Sequence, residues 1–228
     1  MLIFSSNLIA SDFKDISQAE YTKLLKLEGE DLKDELRDTL RQGFHAVGYN
    51  RAKEIIFGRL DNENGEVCCV YSEHNCLRTK SVPDHTRMNV EHTWPQSKGA
   101  SGEAKSDLHH LYPADSKVNS TRSNFPFCEV SNLKWQNKVS KQGKNQWGEN
   151  CFEPPATHKG NVARSSFYFA IKYGKQITEH EEKVLREWNK EDPVDQDEIA
   201  RNRAIYNYQG NSNIFVEHPE LVDQIANF

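Results

Sequence analysis

The stretch "NVEHTWPQS", residues 89–97, places an acid and a histidine side by side, Glu91 and His92, shortly before a proline. In a continuing strand, neighbouring side chains point to opposite faces of the sheet and could not serve one site. Pro95 cannot donate to a sheet and disfavours helix for the residue before it, so the strand is predicted to end or bend here. Side chains at a strand end can converge. An isolated Glu-His pair is more often a surface acid beside a partly buried histidine. A functional interpretation of Glu91 and His92 therefore requires further site residues elsewhere in the sequence.

The polar segment "SDLHHLYPADSKVNSTRSNFPF", residues 106–127, supplies such partners. Its run "DLHHLYP" predicts a short strand that pairs with the strand carrying Glu91. Asp115 is a good N-cap and places Asn119 about one turn into a helix. Two strands and a helix would then bring a carboxylate, the His92 imidazole and an amide oxygen around one point. Carboxylate and amide oxygens bind hard cations and a neutral imidazole can activate water, a combination suited to phosphodiester hydrolysis.

Composition limits the class of protein. The chain has 228 residues, of which 36% are hydrophobic and 10% aromatic, so it can bury a sizeable core that relies on aromatic side chains. The longest apolar runs, "VCCVY" and "SSFYFAI", are far too short to cross a bilayer, which excludes a membrane-spanning protein. The net charge is −5, yet residues 78–144 carry eleven Lys and Arg against six Asp and Glu. Such a basic region is typical of a nucleic-acid surface, although solvated loops would look the same.

The remaining periodicity predicts helices on both sides of this region. Apolar residues recur at helical spacing over residues 17–60, and "EVCCVYS" reads as a strand. "ITEHEEKVLREWNKED" predicts an amphipathic helix with Val184, Leu185 and Trp188 on its apolar side, which opens with a capping box of Thr178 and Glu181. "QDEIARNRAIYNYQGNSNIF" predicts a further helix and a turn. Residues 17–228 are therefore expected to form one domain, preceded by a leader remnant or disordered N-terminus over residues 1–16.

Five cysteines leave three alternatives open. One or two disulfides with a thiol left over would suit a secreted protein, and five buried reduced cysteines without a special role are the second alternative. A zinc cluster of Cys68, Cys69 and Cys76 with His74 is the third, in a structural or redox module, although the spacing matches no standard zinc pattern.

Six separated motifs in the chain occur in the same order as in a known protein family. "VEHTWPQS", "SDLHHLYPADSKVNSTRSNF", "FEPP", "NVAR", "REWNKEDPV" and "YQGNSNIF" occur in this order between about residues 49 and 216. Together they resemble the bacterial endonuclease I family, non-specific nucleases of the ββα-metal type related to HNH enzymes. The resemblance implies an α+β fold: a mostly helical single domain around a ββα-metal (His-Me finger) core at about residues 85–127, with a small antiparallel sheet. It also implies a secreted or periplasmic monomer that uses Mg²⁺ to cut DNA and RNA to 5′-phosphates.

The same resemblance implies roles for individual residues. Glu91 and Asn119 would bind Mg²⁺, with Mn²⁺ or Ca²⁺ as alternatives, and His92 would act as the general base. Arg164 in "NVAR" would be a catalytic arginine that holds a phosphate, although it could equally be a surface charge. The residues expected to support the site are Asp107 and His109, on the second strand, and those expected to contact nucleic acid are Lys98, Lys105, Arg122 and Asn124. Because His109 and His110 are adjacent on that strand, one of them should face away.

One departure from the family leaves a role open. Some relatives carry an arginine, in the loop after the first strand, that stabilises the transition state, whereas this loop offers only Lys98 and Lys105. Lysine supplies charge without bidentate geometry. A catalytically silent nucleic-acid-binding protein on the same fold is the alternative function, but it would be expected to lack Glu91, His92 or Asn119, and all three are present. Phosphate contacts carry no sequence information, and no helix-turn-helix or finger is evident, so little sequence preference is expected.

Overall fold

The described part of the chain, residues 16–228 of a computed structural model, begins with three helices: α1 (Gln18–Leu24), α2 (Gly29–Arg41) and α3 (Tyr49–Ile55). A π-helical turn, Ile56–Leu60, continues α3. Of the leucines whose spacing predicted helix, Leu24, Leu32, Leu36 and Leu40 are buried, whereas Leu25 is 44% exposed. The helical N-terminal region read from the spacing of apolar residues is therefore confirmed.

The expected leader remnant or disordered N-terminus, residues 1–16, lies outside the described residues except for Ile16. No helix within residues 16–228 has both the length and the apolar character needed to span a bilayer. Helices and small antiparallel sheets are mixed along the chain, so the expected α+β class is correct.

The seven strands found within residues 16–228 are short and form three separate antiparallel sheets. The first pairs β1 (Glu66–Cys68) with β2 (Cys76–Arg78), the second pairs β3 (Met88–His92) with β4 (Leu111–Asp115), and the third orders β5 (Asn132–Gln136), β6 (Lys141–Lys144) and β7 (Asn150–Glu153) side by side. The second sheet carries the polar motifs and therefore positions the candidate site.

The chain leaves β4 directly into a helix, α4 (Ser116–Arg122). In the β3–β4 register, Glu91 lies opposite Tyr112 and His92 opposite Leu111. The Asp115 carboxylate accepts hydrogen bonds from the backbone N–H groups two and three residues ahead, at 2.9 and 3.0 Å, which confirms it as the N-cap. The order strand, strand, helix agrees with the expectation, and β3 ends at His92, shortly before the proline.

The predicted extent of the second strand is wrong. Residues Leu108–His110 form a 3₁₀ turn, and Asp107 caps it by accepting from the His109 backbone N–H at 3.1 Å. Strand pairing starts only at Leu111. Both His109 and His110 are buried, with 4% and 0% exposure, so neither faces solvent. A strand would have sent every other side chain of this run outward, whereas the turn allows each of them to enter the core.

The C-terminal half is helical: α5 (Lys159–Tyr173), α6 (Glu179–Glu191), α7 (Gln196–Gln209) and α8 (Ile214–Glu217). Twelve of the fifteen residues of α5 are buried, which makes it the central helix. It ends at Gly174, whose φ of 58° lies in the left-handed region that glycine adopts without strain. A single cluster of buried apolar side chains extends from Leu24 in α1 to Phe228.

The amphipathic helix predicted around residues 177–192 is present as α6, and its predicted apolar side Val184, Leu185 and Trp188 is buried. Its capping box is absent, because the Thr178 side chain caps no backbone N–H. The Glu181 carboxylate instead accepts from the Phe127 backbone N–H at 2.8 Å. A tertiary contact has thus replaced a local one.

Two disulfides and one buried thiol account for the five cysteines. Cys68 bonds to Cys76 and joins β1 to β2, Cys128 bonds to Cys151, and Cys69 is free. The first of the three cysteine alternatives is therefore correct. The zinc cluster is excluded, because the sulfurs of Cys68 and Cys76 are bonded to each other and cannot act as thiolate ligands.

Candidate functional site

Glu91 is a buried carboxylate with a single cationic partner. Its side chain is 2% exposed, and its Oε1 lies 2.9 Å from Arg122 Nε and accepts from the Tyr71 hydroxyl at 3.1 Å. Burial raises the pKa of Glu91 to about 7, and the Arg122 charge limits the rise. Because both side-chain contacts are made to Oε1, Oε2 is the carboxylate oxygen best placed to take a further cationic partner.

Arg122 is the counterion of Glu91. It is 1% exposed, its Nη2 donates to the Thr93 carbonyl at 2.9 Å, and its guanidinium lies 4.2 Å from the centre of the Phe127 ring. The structure therefore corrects the expectation that Arg122 contacts nucleic acid. An arginine with buried partners on several sides presents no free edge to a phosphate.

Asn119 lies on the same side of β3 as Glu91. Its amide nitrogen donates to Asn89 Oδ1 at 2.7 Å and to the Val90 carbonyl at 3.5 Å. Asn89 and Glu91 are two residues apart on β3 and share one face of the strand. Asn119 and Arg122 are three residues apart and share one side of α4. The helix thus lies along this face of β3, and its contacts turn the Asn119 nitrogen towards the strand, leaving the amide oxygen for another partner.

His92 is the last residue of β3 and contacts the loop that joins β3 to β4. Its Nε2 lies 3.1 Å from the Lys105 carbonyl, which accepts the ring proton there and leaves the Nδ1 lone pair unprotonated. The Gln96 amide nitrogen lies 3.4 Å from Nδ1. The rings of Tyr49 and His110 pack at centroid distances of 5.5 and 5.4 Å. Burial, followed by the proximity of His110, lowers the pKa of His92 to about 3, so the imidazole is neutral.

Asp107 is fully buried and organises the base of this loop. Its Oδ2 accepts hydrogen bonds at 2.7 Å from each of three groups: the Tyr168 hydroxyl, the Lys172 ammonium and the Tyr173 hydroxyl. Burial alone would raise the pKa of Asp107, but Lys172 holds it well below its usual range. Asp107 therefore remains charged inside the protein and ties the loop to α5.

Two histidines fix the same loop. His109 Nε2 lies 3.1 Å from the Asn211 carbonyl, and His110 Nε2 lies 2.7 Å from the Ala104 carbonyl. Ala104 directly precedes Lys105, whose carbonyl holds His92. Asp107 and His109 thus lie in the supporting position expected of them, in a turn rather than on a strand, with no surface available for substrate.

Arg164 lies inside the helical half of the molecule. It is 1% exposed, and its Nε donates to Glu198 Oε1 at 2.8 Å. Its Nη1 donates to the Asn189 amide oxygen at 3.2 Å and to the Asp192 carbonyl at 3.0 Å. Neither the phosphate contact nor the alternative of a surface charge agrees with this burial. Arg164 joins α5 to α6 and α7.

The other residues expected to contact nucleic acid lie at the surface. Lys98 is exposed, Lys105 is half-buried with its ammonium 4.7 Å from the centre of the Tyr49 ring, and Asn124 is exposed and donates to the Ser97 hydroxyl at 3.2 Å. Their polar ends are therefore available to a ligand, unlike those of the two arginines.

Among the residues that contact the site, Tyr71 on Glu91 and Tyr49 and Gln96 on His92 were not singled out from the sequence. Gln96 follows His92 by four residues within the quoted motif, so its position was a usable signal. The two tyrosines come from distant segments that carry no motif, and only the tertiary fold brings them to β3.

Another possible metal-binding group among the described residues lies away from β3. Glu66, Cys68 and Cys76 come within 4.8 Å of one another. The two cysteines are joined in a disulfide, which leaves only one carboxylate with ligand character.

Four buried neutral histidines predict a loss of stability in acid. Burial, the first cause for each, lowers the pKa of His92 and His158 to about 3 and that of His109 and His110 to about 4, against an ordinary value of 6.5. Below pH 6.5 the unfolded chain binds protons that the folded protein does not, so stability is complete above pH 6.5 and falls as the pH drops towards 4. Each histidine contributes at most about 1.4 kcal/mol per pH unit. The carboxyl groups of Glu91, Glu181 and Glu198, whose pKa values are raised by burial, oppose this trend, whereas the low pKa of Asp107 adds to it.

We expect the melting temperature to fall steadily from pH 7 to pH 4.5. His158→Phe keeps the ring packing but removes one titrating group, and should make this fall shallower. His85→Phe, at an exposed side chain, is the matched control and should leave the slope unchanged. A melting temperature that stays constant or rises on acidification, measured by circular dichroism, would contradict the prediction.

Comparison with known proteins identifies the family. The family model described as Endonuclease I matches residues 28–220. An extracellular ribonuclease of Bacillus subtilis (strain 168) is 38% identical over 158 residues, which cover 60% of this chain and 53% of that protein. An extracellular deoxyribonuclease of Aeromonas hydrophila is 34% identical over 116 residues, covering 49% and 48% respectively. Endonuclease-1 of Buchnera aphidicola subsp. Acyrthosiphon pisum (strain APS) is 36% identical over 116 residues, covering 49% and 44%.

The matched region spans about half the length of these curated relatives. The family match is broader, because it includes β3, β4, α4 and the helices that pack behind them. The strand, strand, helix unit with Glu91, His92 and Asn119 lies inside the matched residues, and the chain belongs to the Endonuclease I family.

Proposed function

We propose that this protein is a metal-dependent endonuclease that hydrolyses phosphodiester bonds of DNA and RNA without sequence preference and leaves 5′-phosphates. The observation that carries the proposal is the geometry of β3, β4 and α4: Glu91 and Asn119 lie on one face, and a neutral His92 ends the strand. We interpret this unit as a ββα-metal core. Relatives named as a ribonuclease and as a deoxyribonuclease support both substrates.

The chemistry of the donor set fits a hard divalent cation. Glu91 and Asn119 offer oxygen atoms only, and the pairing of Glu91 with Arg122 leaves the buried pair close to neutral until a cation arrives. Mg²⁺ prefers few protein oxygens and keeps several waters, which suits a two-residue site, with Mn²⁺ or Ca²⁺ as alternatives. A cation held there would neutralise charge on the scissile phosphate and on the leaving oxygen.

His92 is the proposed general base. The Lys105 carbonyl engages Nε2, so Nδ1 is the nitrogen that takes the proton from the attacking water. The amide of Gln96, 3.4 Å from Nδ1, is placed to orient that water. A bound phosphate anion favours the imidazolium form and raises the pKa of His92 from its low value towards neutrality.

Nucleic-acid contact falls to the exposed groups around this face. Lys98, Lys105 and Asn124 are proposed to contact phosphates, whereas the buried Arg122 and Arg164 are left out. Two disulfides are typical of oxidising compartments, and relatives are named extracellular or periplasmic, which supports a secreted or periplasmic location. That the protein acts as a monomer is a separate part of the proposal.

Digestion of plasmid DNA and of RNA, each with Mg²⁺ or with EDTA, tests the proposal. We expect both substrates to be degraded with Mg²⁺ and neither with EDTA, and the products to be substrates for an enzyme that requires 5′-phosphates. If the protein binds nucleic acid but cuts neither substrate with Mg²⁺, Mn²⁺ or Ca²⁺, the silent binding protein is the correct alternative.

We expect Asn119→Ala to weaken Mg²⁺ binding more than it lowers the stability of the folded protein. We expect the Mg²⁺ concentration for half-maximal rate to rise at least about tenfold, because one of two protein ligands is lost. Asn132→Ala, at an exposed amide of β5, is the control and should leave the Mg²⁺ requirement unchanged. An unaltered Mg²⁺ titration in Asn119→Ala would remove this residue from the metal site.

A further inference from the structure

Two lysines from different parts of the chain converge on one tyrosine beside His92. Lys53 extends from α3 with its ammonium 5.3 Å from the centre of the Tyr49 ring, and Lys105 reaches the same ring at 4.7 Å from the loop between β3 and β4. The Tyr49 ring in turn lies 5.5 Å from the His92 ring. Two positive charges thus face a single ring that packs on the proposed general base.

Within the described residues, no carboxylate forms an ion pair with the two lysines beside this ring. Lys53 and Lys105 are both half-buried, and the ion pairs of the described residues do not include either of them. The nearest carboxylate along α3, Glu54, is bound to Arg51 at 2.8 Å instead. A cation over a tyrosine ring is attracted to the ring, but two ammonium groups drawn to one ring also repel each other. An anion bound between them would relieve that repulsion.

We propose that Lys53, Lys105 and Tyr49 form a subsite for the phosphate adjacent to the scissile one. This inference rests on the proposed function and names the part of the substrate that the cluster binds. Lysine is suited to a phosphate held as a point charge, without the bidentate geometry of arginine. The position beside His92 places the subsite one linkage from the reacting phosphate.

The subsite would favour cleavage at internal linkages of a nucleic-acid strand. A linkage that has a neighbouring phosphate can use both lysines, whereas an isolated linkage cannot. A phosphate bound in the subsite would also contact Tyr49, whose ring packs against His92, and so would help to hold the imidazole in place. Substrates with at least two adjacent phosphates should therefore be hydrolysed faster than those with one.

Dinucleotides test this directly. We would compare TpT, which has one internal phosphodiester, with pTpT and TpTp, which add a terminal phosphate on either side. We expect kcat/KM of the wild type to be at least about tenfold higher for one of the two phosphorylated forms, which corresponds to about 1.4 kcal/mol. In Lys53→Gln and in Lys105→Gln this advantage should shrink to about threefold or less, and in Lys53→Gln the rate on TpT should stay near that of wild type. Lys26→Gln, at an exposed lysine of the turn after α1, should retain the full advantage.

The results separate the subsite from the proposed function. If TpT is cleaved but no phosphorylated form is preferred, or the preference survives both lysine substitutions, the subsite is overturned and the nuclease stands. A wild type that cleaves neither these three substrates nor plasmid DNA and RNA with Mg²⁺ overturns the function instead. The affinity for a single-stranded oligonucleotide, measured at increasing salt, then still tests the subsite. In Lys53→Gln the slope of log affinity against log salt concentration should fall by about one phosphate contact, and an unchanged slope would reject the subsite.

Discussion

His92→Ala should lower the rate of nucleic-acid hydrolysis by about 10²–10⁴-fold while leaving nucleic-acid binding near the wild-type value. The reason is that the Nδ1 lone pair, kept free by the carbonyl on Nε2, is the proposed acceptor of the water proton. Alanine removes this acceptor without touching Glu91, Asn119 or the exposed lysines. Rates on plasmid DNA and on RNA, together with the affinity for an oligonucleotide in EDTA, measure the two effects separately.

The matched control is His85→Ala, which removes an imidazole whose side chain is 91% exposed. It should keep full activity. Because His92 is buried, the melting temperature of His92→Ala must also be measured, so that loss of rate at a temperature where the variant is folded reports on chemistry. A folded His92→Ala variant that retains more than about a tenth of the wild-type rate would show that another group activates water.

Lys172→Met should destabilise the folded protein strongly. Lys172 is fully buried and lies 2.7 Å from the fully buried Asp107. Removing the cation leaves Asp107 with only neutral donors, and the loss of one partner from a buried ion pair costs about 3–5 kcal/mol. For a chain of this size, each kcal/mol lowers the melting temperature by roughly 2–4 °C, so we expect a fall on the order of 10 °C.

Lys190→Met is the matched control, because Lys190 forms an ion pair with Asp223 in which both side chains are more than half exposed. Such a pair contributes about 0–1 kcal/mol, and its loss should change the melting temperature little. Replacing Asp107 by asparagine in the Lys172→Met background should recover part of the stability, since no unpaired charge then remains. Equal effects of Lys172→Met and Lys190→Met would contradict the charged state assigned to Asp107.

Local signals in the sequence were sufficient for several elements. The apolar spacing of the N-terminal leucines and of Val184, Leu185 and Trp188 identified helices because a buried helical face repeats every three to four residues. Asp115 was recognisable as an N-cap because a short carboxylate before a helix satisfies backbone donors within three residues. Each of these signals involves atoms that are close along the chain.

Local signals failed where distant groups competed for the same atoms. The run of residues 107–110 has strand-like alternation. The Asp107 carboxylate, however, accepts hydrogen bonds from Lys172 and two tyrosines of α5, and the chain forms a turn there instead of a strand. Glu181 satisfies the capping-box pattern but bonds to Phe127, which is 54 residues away. In both cases a buried tertiary hydrogen bond is available that no window of the sequence contains.

The sequence by itself determined the family, the α+β class, the cap of α4 and the candidate residues Glu91, His92 and Asn119, because those depend on residue type at short spacing. Only the tertiary structure decided which charges are free to meet a substrate. Arg122 and Arg164 lie in motifs shared with nucleases, yet burial pairs one with Glu91 and the other with Glu198. Lys53, which no motif marks, lies beside Tyr49, whose ring packs on His92. A buried guanidinium must be paired where it lies, and whether an arginine is buried depends on how distant helices pack rather than on its neighbours in the chain.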